Sequence, residues 1–175
     1  MADLASALGL HQLKKLDSFI SRLTHLAQLY NETFTGLAGL KRPSVTPEVK
    51  SAWHLYPVQI MSPSPARNDL VGELRKRNIG CNIHFIPLHV VSLYRRTFGY
   101  WHGDFPVAEQ VFKRIVSLPL FPRVKSNNVM RVAEVAWSIV GSALRSDRSR
   151  PQHTRHSWPG LLYATSIIFA LTITI

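Results

Sequence analysis

The apolar residues Leu13, Leu16, Ile20, Leu23, Ala27, Tyr30, Phe34 and Leu37 recur in alternating steps of three and four. Steps of that kind bring every apolar side chain onto one face of an α-helix. The spacing predicts a helix from Asp3 to about Leu37, with Asp3 as its N-cap, a break near Gly9, and Gly36 and Gly39 where a helix end is expected. An amphipathic helix of that length cannot cover its own stripe, so the chain must supply a domain, or a partner subunit, to pack against it. The heptad-like spacing also suits a coiled coil, but the run is short and its flanks lack a regular charge pattern.

After Pro43 and Pro47 the pattern changes. Ala52 to Ile60 alternates as a strand, and Pro57 argues for an edge position or an early end. Ser62 to Pro65 reads as a turn. Leu70, Val71 and Leu74 then form a short helical stripe that stops at Gly80. Cys81 to Ile86 is a second strand candidate; Val90 to Phe98 and Phe105 to Val116 are helix candidates, the latter with Pro106 in its first turn. Ser117 to Pro122 is extended. Ser126 caps a last helix whose face carries Val132, Val135, Ala136, Ile139 and Ala143. The order predicts an α/β fold, or an α+β one, with a small sheet and flanking helices.

With 175 residues, 46% of them apolar, the chain can bury one core. Its 21 Lys and Arg against 10 Asp and Glu suit either solvated faces or an anionic ligand. No zinc-finger spacing or RNA-binding aromatic motif accompanies that charge, so nucleic acid is not the expected partner. The single cysteine, Cys81, rules out an internal disulfide and a cysteine-based metal cluster; it is expected to pack as a small apolar residue, in a cytoplasmic protein. No signal peptide is visible. Residues 146–175 turn basic and then apolar. The apolar run, Leu161 to Ile175, falls short of the ~20 residues of a typical membrane-spanning helix. This tail is expected not to pack on the domain.

Five blocks occur in a familiar order: Ala52 to Tyr56, Asn78 to Gly80, His84-Phe-Ile-Pro-Leu-His89, Asp104-Phe-Pro-Val-Ala-Glu109 and Ser117-Leu-Pro-Leu-Phe-Pro122. Together with Met1 to Asp17 they make residues 1 to about 144 resemble the C-terminal portion of DegT/DnrJ-type nucleotide-sugar aminotransferases, which depend on pyridoxal phosphate (PLP). The resemblance implies the small C-terminal domain of a fold-type-I PLP enzyme: residues 1–40 a long connecting helix, 41–145 the small domain. It also implies a homodimer that moves an amino group from glutamate onto a keto-sugar carried by a nucleoside diphosphate.

In that family the lysine that binds PLP precedes the helix opening this chain, and Met1 coincides with an internal methionine of the family motif. None of Lys14, Lys15, Lys41, Lys50, Lys76, Lys113 or Lys125 has its context. The chain is therefore expected to be a fragment that holds no catalytic residue, binds no cofactor and does not transaminate alone. A structural or dimerisation module and a basic anion-binding protein are the competing readings.

The resemblance makes His89, His84 and Tyr94 the substrate-binding candidates, with His89 ranked first. Imidazole donates to phosphate or sugar oxygens and changes charge near neutral pH; the bland alternative is a hydrogen-bonded structural histidine. Zinc is not expected, since no third ligand sits at a usual spacing. Arg95 and Arg96 suit a solvated face as well as a phosphate. Trp53 reads as core, and Asp104 and Glu109 as charges at a helix N-terminus rather than a catalytic pair.

Overall fold

The computed structural model describes residues 3–61 and 66–148. The predicted first helix is two: α1, Asp3–Leu13, and α2, Leu16–Thr33. The break falls at Lys14-Lys15, not at Gly9, and Asp3 lies within the first turn of α1 rather than capping it. A glycine inside a helix costs only ~1 kcal/mol and need not break it. The apolar stripe divides at the same place. Leu13 and Leu16 are exposed, whereas Ala27, Tyr30, Phe34 and Leu37 are buried, together with Leu26 beside the stripe. No residue of α1 is buried.

The helix ends at Thr33, and the chain reverses through Gly36 and Gly39, whose φ values are +80° and +84°. Gly39 is needed twice over: its φ is left-handed, and a Cβ there would come within 3.2 Å of the Val140 side chain. The reversal delivers β1, Leu40–Lys41, to the edge of a three-stranded antiparallel sheet in which β2 is Tyr56–Ile60 and β3 is Ile115–Leu118. Alternate residues Tyr56, Val58 and Ile60 of β2 enter the core.

The expected strand from Ala52 starts late, because Trp53 takes a φ of +49°. Pro57 stands in the central strand, contrary to the edge position predicted for it. The proline is tolerated there because β1 pairs only with Gln59 and Ile60, so β3 alone flanks Pro57. Cys81 to Ile86 does not form the predicted strand either. It makes one isolated bridge, Asn82 with Ser117, and the exposed Phe85 and Ile86 have no face to bury.

Helix α3, Ala66–Lys76, buries Leu70, Val71 and Leu74 as its stripe predicts. It stops at Asn78, not Gly80: Asn78 has φ +55°, its N–H donates to Arg75 O at 3.0 Å, and the Ile79 N–H donates to Leu74 O at 2.9 Å. That pair of bonds is a Schellman motif, with Ile79 buried as its apolar cover. Beyond it come a 3₁₀ turn, Leu88–Val90, then α4, Ser92–Phe98, α5, Pro106–Arg114, and α6, Ser126–Arg148. Ser126 is the first residue of α6, one place inside the predicted cap.

Helix α6 packs on α2 and α3 and buries Val132, Val135 and Ala136, while Ile139 and Ala143 are partly buried. At the centre of the core Tyr30 stacks on Phe34 at 5.7 Å and on Tyr56 at 4.7 Å. Tyr30 Oη donates to Pro119 O at 3.1 Å and Tyr56 Oη to Asn31 Oδ1 at 2.7 Å, so both buried hydroxyls are satisfied. Trp53 packs against the same core beside Tyr56, as predicted for it. The turn predicted at 62–65 and the tail from 149 onward lie outside the described residues.

The contrast between the two N-terminal helices is measurable. Leu26→Ala should destabilise the protein by about 2–5 kcal/mol in denaturant unfolding, because it leaves a cavity in the core. Leu4→Ala, in α1, should stay within about 0.5 kcal/mol of wild type.

Candidate active-site wall

The segment from His84 to His89 is fixed at its two ends and uncovered between them. His84 Nδ1 lies 2.9 Å from Ser117 Oγ on β3, and Ser117 is itself buried by its backbone exchange with Asn82. At the other end His89 is 6% exposed, with Nε2 2.9 Å from Glu109 Oε1 on α5. Between the two histidines Phe85, Ile86 and Leu88 are 75%, 58% and 62% exposed.

His84 opens on a cavity of about 480 Å³ between β3, the end of α3 and the start of α6. Asn78, Asn82, Ser117, Asn128 and Arg131 supply its polar wall, and Leu55, Leu120, Phe121 and Val132 are among its apolar lining. Nδ1 being engaged, His84 Nε2 has no partner among the described residues and is available to a ligand. Cys81 lines the same cavity; burial pushes its thiol above the usual range, which disfavours the thiolate.

His89 and Tyr94 do not line this cavity. They stand at the two ends of an aromatic chain: Tyr94 on Phe98 at 6.0 Å, Phe98 on Tyr100 at 5.8 Å, Tyr100 edge-on to Phe105 at 5.4 Å, and Phe105 on His89 at 4.8 Å. Arg95 lies over Trp101 at 4.8 Å, and Arg96 is exposed. The three substrate-binding candidates thus divide into His84, in the cavity, and His89 with Tyr94, in the aromatic chain.

Neither Asp104 nor Glu109 serves simply as a helix-terminal charge. Asp104 Oδ2 accepts the Trp101 N–H at 2.8 Å and closes the loop before α5. Glu109 Oε1 accepts from both the Gly103 N–H, at 2.6 Å, and His89. The Gly103 N–H, and after it His89, hold the Glu109 carboxyl below the usual carboxylate range. Sequence reasoning missed the His89–Glu109 pair and the cavity's Asn78, Asn128 and Arg131. Residues 20 apart on different elements carry no local signal of contact; the only hint was Pro106, which sets Glu109 in the first turn of its helix.

The cavity offers no amine for a Schiff base with PLP. None of the seven lysines lines the cavity, and six of them are exposed on the surface. Among the described residues no cluster of three metal-ligating side chains occurs.

The profile of the DegT/DnrJ/EryC1/StrS aminotransferase family matches residues 1–136. The chain belongs to that family. The spore coat polysaccharide biosynthesis protein SpsC of Bacillus subtilis is 40% identical over 146 residues, covering 82% of this chain and 38% of its own. The UDP-4-amino-4-deoxy-L-arabinose–oxoglutarate aminotransferase of Shewanella sediminis is 30% identical over 149 residues, covering 81% and 38%. Among solved structures, the putative sugar aminotransferase Spr1654 of Streptococcus pneumoniae in its PLP form superposes with a TM-score of 0.74 at 26% identity, over 82% of this chain and 36% of that one. The chain therefore spans less than two fifths of the length of these relatives. Its helices and small three-stranded antiparallel sheet match the fold class that the resemblance implied, and among the described residues no helix is long and apolar enough to cross a membrane.

The depressed Glu109 carboxyl has a pH signature. A group whose folded-state pKa is lowered contributes stability above its unfolded value, about 4.3 for Glu, and loses that contribution as pH falls through the folded value. Wild type should melt above Glu109→Gln at neutral pH, and the gap should close as pH drops through and below ~4.3. A gap that instead opens on acidification would contradict the assignment.

Proposed function

We propose that this chain is the C-terminal part of a PLP-dependent aminotransferase that moves an amino group from glutamate onto a nucleotide-linked keto-sugar. The family membership carries the reading. The named activity of the Shewanella relative supports its details: oxoglutarate, in that name, is the keto acid left when glutamate gives up its amino group. In this reading residues 1–40 are the connecting helix and 41–145 the small domain, and PLP is held by family residues that this chain does not contain. The missing lysine and the partial coverage of relatives both support that division of labour. By itself the chain binds no PLP.

The task left to these residues is to hold and orient the sugar nucleotide. His84 is the residue best placed for direct contact, since it lines a cavity that combines amide and guanidinium donors with an apolar lining and only its Nδ1 is engaged. Amide and guanidinium N–H groups recognise sugar hydroxyl and phosphate oxygens. Tyr94, half-buried at the end of the aromatic chain, is a second contact. His89 would reach substrate only by giving up its bond to Glu109. The exposed leucines of α1 are where the remainder of the enzyme, or the second subunit of a homodimer, would pack.

The test joins this chain to a cofactor domain of the family and follows amino-sugar formation from glutamate and a nucleotide-linked keto-sugar. His84→Ala should lower kcat/KM roughly 10- to 1,000-fold, the range for losing one polar contact to a reacting or anchoring group. Unchanged kinetics in a folded variant would remove His84 from the substrate site. Absence of transfer in the unsubstituted enzyme would reject the function itself.

A further inference from the structure

We propose that Glu109 is a positioning residue, a clip that holds the segment 84–89 and the loop 99–105 in one arrangement and so sets where His84 stands. The proposal rests on the reading above only in giving that segment a substrate to face. Three exposed apolar side chains, Phe85, Ile86 and Leu88, cannot hold the segment by burial. Its place is instead determined by polar anchors at its ends. One anchor is His84 on Ser117 Oγ; the other is Glu109.

Glu109 is suited to the task because one oxygen takes donors from two separate stretches of chain. Oε1 receives His89 Nε2–H at 2.9 Å and the Gly103 N–H at 2.6 Å, while Oε2 lies 3.9 Å from His102 Nδ1. Hydrogen bonds to an ionised acceptor are roughly twice as strong as neutral ones. Donation to a carboxylate requires that His89 carry its proton on Nε2. Phe105, 4.8 Å from the imidazole, closes the pair from one side and leaves the histidine 6% exposed. Helix α5 makes the clip rigid, since Pro106 starts it and Glu109 sits in its first turn. His89 is thereby assigned to the fixing of the segment, and the pairing explains a buried histidine beside exposed apolar neighbours.

The test is nitrogen-15 NMR of histidine rings and amide exchange on chain 1–175, with no cofactor or substrate, so its outcome is independent of the aminotransferase reading. In wild type, His89 should show the Nε2–H form and the Gly103 amide should be protected. Glu109→Ala should abolish the fixed His89 form and lower Gly103 protection at least about tenfold, the ratio expected for losing a hydrogen bond to a charged group. It should also shift the His84 ring signals, although His84 touches Ser117 and not Glu109. Glu109→Gln keeps an acceptor oxygen, and should restore the His89 form and leave His84 near its wild-type position. His89→Phe fills the buried site without the donor; it should shift His84 as Glu109→Ala does while leaving Gly103 protected, and it decides the matter if Glu109→Ala does not fold. His84 signals unmoved in the folded substituted chains would overturn the positioning role, and an unchanged His89 and Gly103 in Glu109→Ala would overturn the clip itself.

Discussion

The stack of Tyr30 on Tyr56 is the contact on which the rest of the arrangement depends. It joins α2 to the central strand; the Tyr30 hydroxyl ties the helix to Pro119 O just beyond β3, and the Tyr56 hydroxyl ties β2 to Asn31 of the helix. Burial drives both phenols above their ordinary pKa, which favours the neutral, donating form. β3 then carries Ser117, which holds His84 from one side, and its end forms part of the cavity wall. A buried aromatic seam thus fixes, at one remove, where a polar side chain meets the cavity.

Periodicity made the helices legible. The stripes at Leu70, Val71 and Leu74 and at Val132, Val135 and Ala136 both face the core, because a 3.6-residue repeat reports directly which side of a helix is buried. Strand reading fared worse. Ala52 to Tyr56 alternates in sequence, yet a left-handed φ at Trp53 delays the strand, and nothing local shows that β1 is too short to reach Pro57. The end of α3 was assigned to a glycine when an asparagine does the work; Asn tolerates the left-handed region well enough for Ile79 to close the motif.

The site was legible only in part, and for a related reason. The block from His84 to His89 drew attention to this stretch of chain through its resemblance to the family, but gave no sign that its two histidines have different surroundings. His84 has one ring nitrogen engaged and lines the cavity; His89 is enclosed between Phe105 and Glu109. Which of two similar side chains is buried depends on contacts 20 to 33 residues away in sequence. Spacing along the chain cannot report such contacts, and Asn82, Asn128 and Arg131 of the cavity wall were silent for the same reason.

The fold places amide and guanidinium donors on a cavity wall to which no lysine contributes an amine. The direct measurement is amino-sugar formation by purified 1–175 protein supplied with PLP, glutamate and a nucleotide-linked keto-sugar. The account predicts no turnover above that of PLP and substrates without protein, from a chain that nevertheless unfolds cooperatively. Turnover at an enzyme-like rate, on the order of 1 s⁻¹ or more, would contradict it and require that one of the surface lysines serve the cofactor after all.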